Sequence, residues 1–115
     1  MRVRAKPEIH EHVLDEYDYS SLTPDREYEV VSICEGAVRI VDDTGEPYQY
    51  PDYCFSVTDS TIPKNWIRSD CPDGFFTINP PELSERAFWD HYHDGDPVAR
   101  AKFRAYLVRI GASPD

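Results

Sequence analysis

With 115 residues, 40% hydrophobic and 13% aromatic, the chain has the size and apolar content of one folded domain, which excludes an intrinsically disordered protein. Twenty-two acids against twelve bases give a formal charge of −10, which repels phosphate backbones and anionic lipid and so argues against nucleic-acid and membrane partners. Met1–Lys6 is charged with no apolar run behind it, and no window approaches the roughly 18 apolar residues of a membrane span, so a cytoplasmic, soluble protein is expected.

The elements follow in chain order. Val3 and Ala5 alternate with Arg2, Arg4 and Lys6, the period of a half-buried strand over residues 2–6. Residues 7–25 carry Pro7, Ser20, Ser21 and Pro24 among acids and tyrosines and read as a long irregular loop. Tyr28, Val30, Val31 and Ile33, the turn Glu35-Gly36, and Val38, Ile40 and Val41 predict a β-hairpin. A turn at 43–46 leads to a short strand over Tyr48–Tyr50, an interruption at Pro51–Tyr53, and a strand over Phe55–Val57. Trp66-Ile67 and Phe75–Ile78 flank a turn-rich stretch and suggest a further hairpin. Pro80-Pro81 then opens a predicted helix running to about Tyr92, with Leu83, Ala87, Phe88, Trp89 and Tyr92 as its apolar surface. Gly95 ends that helix, Asp96 and Pro97 start the next, and Gly111 stops it. In this last helix Phe103, Tyr106, Leu107 and Ile110 share one face.

The line LTPDREYEVVSICEGAVRIVDDTGEPYQYPDYCFSV at residues 22–57 resembles an SH3-like barrel, with Tyr50-Pro51-Asp52-Tyr53 similar to the one-turn helix before the last SH3 strand. Leu14–Tyr19 is similar to the tyrosine-bearing segment that lines the SH3 peptide groove, although no tryptophan stands between Val31 and Tyr50 where the groove tryptophan of that family belongs. The whole arrangement resembles small uncharacterised bacterial proteins of immunity-protein type. The expected fold is therefore α+β: one domain over 1–115, with a small SH3-like antiparallel β-barrel in 1–79 followed by two C-terminal α-helices in 80–111.

Candidate chemistry is thin. Cys34, Cys54 and Cys71 are odd in number and lack CxxC spacing, so free, buried thiols in a reducing compartment are expected rather than disulfides or a nucleophile. His10-Glu11-His12 and His91-Tyr92-His93-Asp94 contain ordinary metal-ligand types, but an i, i+2 pair shares a face only on a strand, and solvent-facing or helix-capping histidines are expected. The five glycines are isolated, so no phosphate-binding loop is formed, and no cofactor is expected.

Charge and tyrosine remain. No basic residue separates Lys6 from Arg26, while Glu8, Glu11, Asp15, Glu16, Asp18 and Asp25 all fall there. Tyrosine suits interfaces because a large apolar face carries a polar tip. The expectation is a non-enzymatic protein of inhibitor or immunity type that neutralises a basic, toxin-like protein partner. Its contact residues are expected to be Asp15, Glu16, Tyr17, Asp18 and Tyr19, with Asp90 and Asp94 as a second acidic group. The alternatives are an SH3-like peptide-recognition module with a groove of Tyr17, Tyr19 and Tyr53, and a small metal-dependent enzyme using the histidines.

Overall fold

The computed structural model describes residues 1–9, 19–72 and 74–112. Seven antiparallel strands precede two α-helices: β1 (Arg2–Ala5), β2 (Glu27–Cys34), β3 (Ala37–Val41), β4 (Pro47–Pro51), β5 (Phe55–Asp59), β6 (Ile67–Asp70), β7 (Phe76–Asn79), α1 (Phe88–His93) and α2 (Pro97–Ile110). The sheet runs in the order β4-β3-β2-β1-β5, and β6 and β7 form a hairpin that joins it through β2. Both hairpins and the α+β class agree with the sequence reading.

β2 is the strand on which the fold turns. Its first half pairs with β1, Val3 opposite Tyr28, and its end pairs with β7, Ile33 opposite Ile78. Along β3 the register slips: Val30 opposes Ile40, Ser32 opposes Arg39, and Val31 is the extra residue. An inserted residue reverses the alternation of side chains that follow it. Val30 and Ile33 consequently face one core, with Val3, Leu22, Val38, Ile40, Tyr50 and Phe55. Val31 faces the other, with Leu83, Phe88, Tyr92, Phe103 and Leu107. One strand is thus a wall of two cores.

The expected closed barrel is corrected to an open sheet, because β4 and β5 end the strand path and do not pair with each other. β4 begins and ends with proline, which has no N–H to give to a further ladder. A one-turn 3-10 helix over Asp52–Cys54 then turns the chain, and β5 returns to β1, with Ala5 opposite Phe55.

The predicted helix over 80–92 is also corrected. Pro81–Leu83 forms a single 3-10 turn, and α1 starts only at Phe88 because Ala87 adopts a left-handed backbone (φ 60°) that interrupts the helical ladder. The break buries both Leu83 and Phe88, whereas Ala87, expected in the apolar face, is exposed. α2 has the expected ends: the Asp96 carboxylate accepts from the Val98 N–H at 3.1 Å, Pro97 sits in the first turn, and Gly111 closes it at φ 75°. Phe103, Tyr106 and Leu107 are buried. Among the cysteines, all free, only Cys54 is fully buried; Cys34 ends β2 and Cys71 lies in the turn after β6, so both are half-buried, a correction to the expected core positions.

Candidate binding surfaces

Asp15, Glu16, Tyr17 and Asp18 lie outside the described residues, as do His10 and His12. Tyr19 is corrected from an exposed contact residue to a core one. It is 6% exposed, its ring lies 6.5 Å from that of Tyr50, and its hydroxyl meets the Tyr53 hydroxyl at 3.3 Å. The reason is local: the Tyr19 carbonyl accepts from the Leu22 N–H, a turn that drives both side chains into the first core. Tyr53, on the 3-10 turn, stays 49% exposed.

Asp90, on α1, and Asp94, which caps its C-terminal end, are exposed one turn apart, the Asp94 N–H donating to the Asp90 carbonyl. No ion pair reaches either carboxylate among the described residues. The basic outer side of α2 is by contrast largely neutralised: Arg100 pairs with Glu46, Lys102 with Glu85 and Arg109 with Glu82. Arg2 and Arg26 pair likewise with Glu27 and Asp43. Each pair removes equal charge of both signs, so the excess of acid stands on residues such as Asp90 and Asp94.

Between α1 and the sheet lies a polar seam that sequence reasoning did not single out. Arg39, on the face of β3 opposite the first core, has its guanidinium 4.5 Å from the centre of the Trp89 ring and donates to the Pro47 carbonyl at 3.1 Å. Its Nη1 stands 2.9 Å from His93 Nε2, which accepts as the neutral imidazole. Tyr48 stacks on His93 with ring centres 5.5 Å apart. The Tyr92 hydroxyl donates to Glu46, and the Trp89 indole donates to Asn79 at 3.0 Å. The only sequence signal was Arg39 at the outward phase of an alternating strand.

The titration of these groups follows their surroundings. Burial and the Arg39 charge push the His93 imidazole below its ordinary value. Burial and the Glu46 carboxylate push the Tyr92 phenol well above the usual tyrosine range, and burial raises Tyr106 to about 12. The buried Asp42 accepts from the Tyr50 hydroxyl at 2.9 Å and from the Thr44 N–H at 2.9 Å, which fixes the turn between β3 and β4. Among the described residues no group of three or more His, Cys, Asp or Glu side chains could hold a metal ion. Among the described residues no helix is long and apolar enough to cross a membrane.

No family model, curated protein or solved structure matches this chain.

Proposed function

We propose that this chain is a non-enzymatic binding protein of inhibitor or immunity type, which neutralises a toxin-like partner by covering its basic surface. The observation that carries this reading is the imbalance of charge: a formal charge of −10, with much of the cationic side of the fold paired internally and Asp90 and Asp94 left exposed. Complementary charge chiefly accelerates encounter and selects partners. The acids at 15, 16 and 18 extend the same chemistry in this reading, and a cytoplasmic location suits three free thiols.

The test is capture from native lysate at low salt, elution by a salt gradient, and identification of the eluted protein. A basic partner is expected, with an association rate that falls at least about tenfold from low to high salt. Reversing the charge at Asp90 and Asp94 together with Asp15, Glu16 and Asp18 should weaken it further. An association rate indifferent to salt would sink the reading.

A second reading, an SH3-like peptide-recognition module, rests on the SH3-like resemblance of residues 22–57 and draws support from the one-turn helix between β4 and β5 and the antiparallel strand order β4-β3-β2-β1-β5. Its expected groove loses Tyr19 to the core. Titration with a proline-rich peptide while following the Tyr53 amide separates the two readings, because only the peptide module predicts a shift there.

A further inference from the structure

An apolar cleft of about 230 Å³ opens between β5 on one side and the ends of β2 and β7 on the other. Val3, Ile33, Val38, Phe55, Val57 and Phe76 line it with Met1, and Asp52 contributes the charged side chain in its wall. No lysine or arginine side chain lines it. Val57, in the wall of the cleft, is 56% exposed. A contiguous apolar lining that opens to water at Val57 is a surface on which a partner side chain can be buried. Beside them, β5 pairs only with β1, and no strand lies along its other edge among the described residues.

We propose that this cleft anchors an extended segment of a partner protein, one leucine, isoleucine or phenylalanine entering it while an adjacent lysine or arginine pairs with Asp52. The inference rests on the binding-protein reading and locates its anchor. Three arguments select this occupant. The volume suits one large side chain and falls below the roughly 300–1,000 Å³ of small-molecule sites. A second copy of a chain with formal charge −10 is repelled, whereas a cationic segment is attracted. Asp52 on an otherwise apolar wall is complementary to a cation placed beside an apolar anchor.

The probe is a synthetic heptapeptide with one leucine flanked by two lysines in a serine–glycine background, titrated into the isotope-labelled full chain. Amide shifts are expected at Val3, Ile33, Val57 and Phe76. Matched peptides with alanine for leucine, or glutamate for both lysines, should bind at least about tenfold more weakly. Val57→Lys and Asp52→Lys should each weaken the leucine peptide about fivefold or more while keeping a dispersed spectrum; both positions are exposed, so either variant serves if the other fails to fold. Equal binding of the alanine peptide, or no shift at millimolar peptide, overturns the proposal. Shifts gathered around Asp90 and Asp94 overturn the cleft as the anchor and leave the acidic binding protein standing, whereas a captured partner indifferent to salt sinks the latter.

Discussion

His93 shows how a single residue couples the helices to the sheet through its protonation state. Its imidazole accepts from Arg39 and stacks on Tyr48, so a second proton would set two cations side by side. A histidine depressed in the folded state contributes stability that is fully present above its unfolded value of about 6.5 and is lost as pH falls through the folded one. Glu27 and Asp59 are also lowered, Glu27 chiefly by the Thr58 hydroxyl and Asp59 chiefly by the Thr61 N–H, but their contribution fades only in the acidic range of carboxylates. The two windows are therefore separate. Thermal unfolding between about pH 7 and about pH 5 should lower Tm more in the wild type than in His93→Gln, and identical slopes would show that His93 does not report on the seam.

At the scale of elements, the ends of α2 were legible in the sequence and the start of α1 was not. Asp96, Pro97 and Gly111 act on backbone groups within one turn of themselves, so their meaning is local. The break at Ala87 answers to tertiary packing, the burial of Leu83 and Phe88 on either side of it, and nothing in its own residue type announces it. This makes opposite predictions for two substitutions. Ala87→Gly relieves roughly 1–2 kcal/mol of left-handed strain against an unfolded-state entropy of about 0.4–1 kcal/mol, so a gain near 0.5 kcal/mol is expected. Gly111→Ala meets no atom within 4 Å yet must hold φ 75°, so it should cost about 1 kcal/mol through the backbone alone. Urea unfolding of both variants checks the pair. The bulge at Val31 was equally hidden, since the adjacent Val30 and Val31 fit either face of the strand until a second layer claims one of them. The segment at 15–19 was read from its charge and its tyrosines, which specify a potential and a residue type rather than a geometry, and this is why Tyr19 was expected among the contact residues when its ring belongs to the core.

For the whole molecule, the decisive question is whether the helices are an appendage of the sheet or part of one folding unit. α1 has 6 residues and α2 has 14, lengths that are marginal in isolation, so their stability must come from the second core. That core includes Val31 from the centre of β2, and the same strand supplies Val30 to the first core. Withdrawing the helices uncovers Val31 and loosens Val41, Arg39 and the β2–β3 pairing on which the first core depends. Phe103 is the test position because it is buried against Trp89 and Tyr92, with ring centres 5.8 Å and 5.2 Å away, and belongs to the second core, in which Val31 is the residue supplied by β2. Phe103→Ala should cost about 3–5 kcal/mol. If the two cores unfold together, hydrogen exchange at Val30 and Ile40 will accelerate by the same factor as at Leu107. Acceleration confined to α2 would instead show that residues 1–79 hold their sheet without the helical pair, and the surface carrying Asp90 and Asp94 would then be a separable lid on the strands rather than a fixed part of the fold.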